Sequence, residues 1–168
     1  MNPSALDQRF AEDGPLAGLL NGYRPRSGQQ ALARMIAECL ADQEDLVAEA
    51  ATGTGKTLAY LLPVLESGER TILSTGTLNL QEQLFRRDLP LALKVTGREC
   101  KTALLKGRAN YLCPQRLGQH MDGISELDET VADELRIVAR WAEQTVSGEV
   151  SELAEIAARS PVWPLVTS

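Results

Sequence analysis

The sequence predicts an α/β domain in which a parallel sheet is flanked by helices, and three observations predict it. Short apolar runs alternate with segments of helical period, and a glycine-rich loop separates the first run from the helix after it. The second run, Thr71-Ile72-Leu73-Ser74, is mostly apolar, as a strand covered on both faces must be. Strand, helix and strand in this order imply parallel pairing with right-handed crossovers. At 168 residues, 43% of them hydrophobic, the chain suffices for one core of ordinary size.

The elements follow in order. Asp13-Gly14-Pro15 is a turn. After Arg24-Pro25, Ser27 can cap a helix whose positions Leu32, Met35, Ile36, Cys39 and Leu40 share one face, which makes Cys39 a packed interior thiol. Residues 45–50 read as the first strand, 52–55 as a loop, and Lys56 opens a helix running to about Glu66. Residues 71–74 are the second strand and 78–93 a helix, with Pro90 as the place for a break. Residues 101–105 read as a third strand and 106–114 as a loop. Leu127, Val131, Leu135, Val138 and Ala142 then mark one face of a long helix. The tail, SPVWPLVTS, has two prolines, an exposed-looking Trp163 and no periodicity, and reads as a connector.

Composition narrows the setting. No apolar run approaches the roughly 18 residues that a membrane span needs. The opening residues carry Asp7, Glu12 and Asp13 and have no apolar core, so they are no secretory signal. Three cysteines without a CxxC spacing do not make a disulfide framework, and a reducing cytoplasm fits best. The net charge of −6 hides an asymmetry. Residues 94–116 hold six cations against Glu99 alone, whereas residues 119–160 hold ten acidic residues against three arginines. The first stretch suits a phosphate backbone, with Lys106 and Arg108 foremost; the second would repel one.

The strongest chemical signal is Ala50-Ala51-Thr52-Gly53-Thr54-Gly55-Lys56-Thr57. Between a strand and a helix, such a loop lets successive N–H groups point at phosphates, because glycine has no Cβ to block them. Thr52, Gly53, Thr54 and Gly55 form the cradle, Lys56 reaches the β- and γ-phosphates of ATP, and the Thr57 hydroxyl suits Mg²⁺. Ala50 stands where the general pattern has glycine. Upstream, Gln29 lies at a helix start, and its amide offers the donor and acceptor that suit an adenine edge. Downstream, Ser74, Thr75 and Thr77 would reach a helix N-terminus from a strand end, with Gln81 one turn on. That is a place for the phosphates of single-stranded DNA, although capping alone would also account for the hydroxyls. Cys113, on none of the apolar faces, reads alone as a free thiol.

Taken together, RPRSGQQ, EAATGTGKT, STGTLNLQEQL and LLKGRANYLCPQRL resemble, in order, the opening of the DinG/XPD family of iron–sulfur superfamily 2 DNA helicases, in particular its bacterial YoaA branch. The resemblance continues through WAEQTVSGE to WPLVTS at the last residue. It implies a RecA-like P-loop motor domain over residues 1–110 and the start of a helical iron–sulfur domain over residues 111–168, with Cys113 as first ligand of a [4Fe–4S] cluster. It implies ATP-driven unwinding of DNA, 5′ to 3′, in repair or replication. Three further cysteines, an acidic box and an arginine finger belong to that pattern and do not occur in these 168 residues. A truncated chain or an interrupted reading frame is therefore expected, binding nucleotide but turning over little, since loss of an arginine finger alone costs on the order of 10³–10⁵ in rate. Without a cluster, residues 121–168 would be mobile or packed otherwise than in a complete helicase. Two other classes stay open: another P-loop phosphotransferase, and a non-catalytic interaction module using the acidic helix at 126–134.

Overall fold

The computed structural model describes residues 3–168. The chain divides into two compact units, Met1–Ala103 and Leu104–Ser168. The first unit is built from α1 (Pro3–Arg9), α2 (Pro15–Leu19), α3 (Ser27–Asp42), α4 (Lys56–Ser67), α5 (Leu78–Gln83) and α6 (Leu89–Thr96). Helix α4 lies at its centre because it is apolar nearly all round, and it packs on both α3 and α6. Its Ala59, Leu61 and Leu62 are buried together with Leu6, Phe10, Leu16, Ala33, Leu84, Ala92 and Val95. Each fully buried leucine of such a core contributes about 1.5–3 kcal/mol. Arg9 fastens α1 to this centre, donating to Glu66 at 3.2 Å and to the Val95 carbonyl at 2.7 Å.

The break expected at Pro90 takes a specific form. Proline has no N–H, and its ring crowds the carbonyl four residues earlier, here that of Arg86. One turn of wider π-helix, Leu84–Asp88, absorbs both problems: the Leu89 N–H bonds to the Leu84 carbonyl, and the helix resumes as α6.

Two expectations for this unit are not met by the described residues. Among the described residues no strand forms, and the segments 45–50, 71–74 and 101–105 make no bridges to one another. Val47 is 99% exposed and Ile72 92%. Strand preference is the packing of side chains against cross-strand neighbours, not a property of isolated backbone, so segments without such neighbours form no strand. On α3, Cys39 is only partly buried, and Met35 and Leu40 on the same stripe are exposed. The sheet those side chains would cover is not formed by the described residues.

The second unit contains α7 (Pro114–Asp122), α8 (Glu129–Ala142) and α9 (Trp163–Val166). The stripe read from the sequence is the inner face of α8, with Leu135 and Val138 fully buried. They pack with Leu117, Leu153, Ile156, Val162, Trp163 and Val166. The tail is thus part of the core rather than an exposed connector. Trp163 is 8% exposed, its indole N–H donates to the Ala157 carbonyl at 2.9 Å, and Leu112 bridges Thr167. The apolar run Val162–Val166 is what buries it, so residues 121–168 contribute most of this unit's core.

Candidate functional site

The loop before α4 has the backbone that its glycines allow. Gly53 and Gly55 sit at φ 79° and 83°, a region that side chains disfavour. A Cβ at Gly55 would stand 2.2 Å from Gln29 Nε2, so a larger residue there would have to displace the Gln29 amide. Gly55 precedes α4 without a capping side chain, so the first N–H groups of α4 face the loop, with the positive end of the helix dipole behind them. Lys56 and Thr57 are the first two residues of α4. The loop closes on itself: Lys56 Nζ donates to the Ala50 carbonyl, and the Thr54 hydroxyl to that of Ala51 at 2.8 Å. Thr52 is exposed. Glycines at the tight positions and an uncapped helix start fit a polyphosphate.

Gln29 comes to this loop from α3. It is 4% exposed, and its Nε2 donates to the Gly55 carbonyl at 2.9 Å. Arg26, one turn earlier and not singled out from the sequence, donates to the Gly53 carbonyl. Arg26 at the cap position and Gln29 in the first turn of α3 therefore both hold the loop. The only sequence signal for Arg26 was its place in the RPRSGQQ string.

The hydroxyl segment also reaches the loop's surroundings. Thr75 lines the same cavity of about 550 Å³ as Lys56 and Thr57, together with Tyr60, Gln83 and Asp88. Thr77 caps α5, accepting from the Leu80 N–H at 3.2 Å, and the Thr75 hydroxyl donates to the Thr77 carbonyl at 3.3 Å. Ser74 is exposed and Gln81 half-buried on α5. Tyr60 and Asp88 were not legible as site residues. Asp88 gave no signal because only the π-turn aims it inward.

In the second unit the two expected DNA-contact cations part ways. Arg108 is exposed in a short 3₁₀ turn, Arg108–Asn110. Lys106 is 9% exposed, and its amine is paired with Glu149. Burial of a cation demands a partner, and the acidic stretch supplies one. Cys113 directly precedes α7, and its N–H donates to the Val166 carbonyl at 2.7 Å. Its thiol is pulled below the usual range, chiefly by the Arg116 backbone N–H. The Ser168 hydroxyl, the Gln115 N–H and the Arg116 charge add to this, and partial burial opposes it. Among the described residues no three His, Cys, Asp or Glu side chains stand together as a metal site. Cys39 and Cys100 belong to the other unit.

Residues 29–153 match the family model described as DEAD/DEAH box helicase. The chain belongs to that family. With it comes the RecA-like P-loop fold of DEAD/DEAH box helicases, although neither four-residue box occurs in these 168 residues. Among named relatives, the ATP-dependent DNA helicase YoaA of Escherichia coli (strain K12) is 44% identical over 162 residues, covering 95% of this chain and 25% of that protein. The ATP-dependent DNA helicase YoaA of Haemophilus influenzae is 45% identical over 159 residues, with 95% and 25% covered. The ATP-dependent helicase DinG of Mycobacterium tuberculosis (strain H37Rv) is 41% identical over 155 residues, with 80% and 23% covered. The chain thus spans about a quarter of the length of the relatives it matches.

Proposed function

We propose that the chain is the nucleotide- and DNA-binding N-terminal part of an ATP-dependent DNA helicase, moving 5′ to 3′ on a single strand in repair or replication. The carrying observation is the loop at 50–57, with left-handed Gly53 and Gly55 ahead of Lys56 and Thr57 and with Gln29 bonded to it. In this reading Lys56 leaves the Ala50 carbonyl for the β- and γ-phosphates. The Thr57 hydroxyl takes Mg²⁺, which when bound neutralises phosphate charge. Gln29 reads adenine with the amide it anchors at Gly55. Thr52 and Thr54 complete the cradle.

Single-stranded DNA is assigned to Ser74, Thr75, Thr77 and Gln81, with Arg108 as the cation. Lys106 could join them only by leaving Glu149. The reading places the protein in the cytoplasm, where its DNA substrate lies. Among the described residues no helix is long and apolar enough to cross a membrane. Cys113 is the one candidate ligand for an iron–sulfur cluster. One thiolate does not fit a cluster that takes four, so no step is assigned to that group. ATP hydrolysis is lowered in barrier mostly by positioning and charge, and in this reading the loop at 50–57 supplies the cradle.

Equilibrium binding of a fluorescent ATP analogue tests this. Lys56→Ala should abolish binding while leaving the thermal transition unchanged, and unchanged affinity would overturn the assignment.

A further inference from the structure

One buried carbonyl ties the first helix to the segment that reaches the nucleotide loop. Phe10 directly follows α1 and is fully buried. Its carbonyl accepts from the Tyr23 hydroxyl at 3.1 Å and from Gln30 Nε2 at 3.3 Å. A carbonyl oxygen has two lone pairs, and here two side chains take them. The donors flank a short stretch of chain: Tyr23 precedes α3, and Gln30 lies in its first turn.

Between these anchors the chain has little else to hold it. Arg24, Pro25, Arg26, Ser27 and Gly28 are all exposed, and no side chain caps α3. Burial therefore does not fix where Arg26 stands. Yet two of the enclosed residues reach across to the loop, Arg26 to the Gly53 carbonyl and Gln29 to the Gly55 carbonyl at 2.9 Å. The Gln30 N–H donates to the Arg26 carbonyl at 3.1 Å, which joins one anchor to one arm. Residues 23–30 thus form a bracket, with two side chains fixed on Phe10 and two on the loop. All four bonds lie within one compact unit.

We propose that Tyr23 and Gln30 are positioning residues of the nucleotide site, a role that rests on the function proposed above. Fixed on the Phe10 carbonyl, they set where Arg26 and Gln29 grip the loop. That grip sets the path of the backbone whose N–H groups face phosphate. Neither anchor needs to touch nucleotide for this. A cradle of N–H groups binds an anion only while they converge on one point, so its affinity reports on the bracket that shapes it.

Binding of a fluorescent ATP analogue to the full chain is measured for Tyr23→Phe and Gln30→Met. Each removes one donor and keeps most of the side chain's bulk. Each should weaken binding about threefold to tenfold, the effect of one lost hydrogen bond. The same changes are then made in a chain carrying Arg26→Ala and Gln29→Ala, where the bracket no longer grips the loop. There they should leave affinity unchanged, although thermal melting falls by as much as in the wild-type background. An equal loss of affinity in both backgrounds, or none in either, overturns the proposal. A second readout needs no ligand. A hydrogen bond to a carbonyl shifts the amide resonance of the next residue, so the Thr54 and Lys56 amides report the grip on Gly53 and Gly55. Both should move in Tyr23→Phe and Gln30→Met, while the α8 amides do not. Unmoved resonances overturn the proposal, even where the chain with Arg26→Ala and Gln29→Ala binds nothing. A wild type that binds no nucleotide, with resonances that do move, overturns the proposed function and leaves the bracket's hold on the loop standing.

Discussion

Lys106 and Glu149 form an ion pair with both side chains buried, 5% and 10% exposed, between positions 43 residues apart. The pair is well supported: the Ser151 hydroxyl donates to Glu149, the Lys106 N–H donates to the Tyr111 hydroxyl at 3.0 Å, and Tyr111 bridges Glu149. Taking two charges out of water costs several kcal/mol for each, which mutual attraction and added hydrogen bonds must offset. The pair therefore joins the entry of the second unit to its 149–151 turn only while both members are present.

Removing one member should be severe. Glu149→Ala or Lys106→Ala is expected to destabilise the second unit by about 3–5 kcal/mol, whereas Lys106→Met with Glu149→Leu should recover most of that loss. Urea unfolding followed by Trp141 and Trp163 fluorescence measures it. A loss below about 1 kcal/mol in the single variants would mean that the pair is solvated, as surface pairs are.

Gly55 offers a second test, because two effects coincide there and separate at Gly53. Both positions have left-handed φ, but only at Gly55 would a Cβ meet Gln29, at 2.2 Å. Gly53→Ala should cost about 1–2 kcal/mol from backbone strain alone. Gly55→Ala should cost more and weaken nucleotide binding as well, since it displaces the Gln29 amide. Adding Gln29→Ala should relieve the clash but not the strain. Equal costs at the two glycines would argue against the Gln29 contact.

What the sequence made legible divides along physical lines. The starts of α3 and α4, the loop at 52–55 and the inner face of α8 were readable because glycine placement and helical period are local, although Ser27, read as a cap, is the first residue of α3, with Arg26 at the cap position and no side-chain cap bond. The strands at 45–50, 71–74 and 101–105 were not readable in the same sense, since a strand exists only through its neighbours. The pairing of Lys106 was not legible, because charge counts ignore a partner 43 residues away. Trp163 looked exposed because nothing local shows that Val162 and Val166 turn with it into a core. Asp88 was invisible because its inward aim depends on how Pro90 is accommodated.

The two cations of the KGR segment should respond differently to salt. Arg108→Ala should lower the slope of log affinity for single-stranded DNA against log salt by about one, the value for one lost phosphate contact. Lys106→Ala should leave the slope alone and act through stability, because its amine is held by Glu149. Titrations at four salt concentrations decide it. An unchanged slope for Arg108→Ala would make that arginine a solvated surface charge.

Cys113 should ionise more readily than an ordinary thiol, and the reason is mostly backbone. The Arg116 N–H stabilises the thiolate most, with smaller help from Ser168, the Gln115 N–H and the Arg116 charge, against the opposing effect of burial. In a chain carrying Cys39→Ser and Cys100→Ser, iodoacetamide labelling should reach half-maximal rate below the value of about 8.5 for a free thiol. Arg116→Ala removes the charge but not the N–H, so the midpoint should rise only part of the way to that of the urea-unfolded chain. A group whose folded value is depressed stabilises the fold at pH above its unfolded value, and that stabilisation fades as pH falls through the folded value. Relative to Cys113→Ser, the chain should therefore gain stability between neutral and alkaline pH. A folded-state labelling midpoint at or above that of the unfolded chain would falsify this account of the thiol.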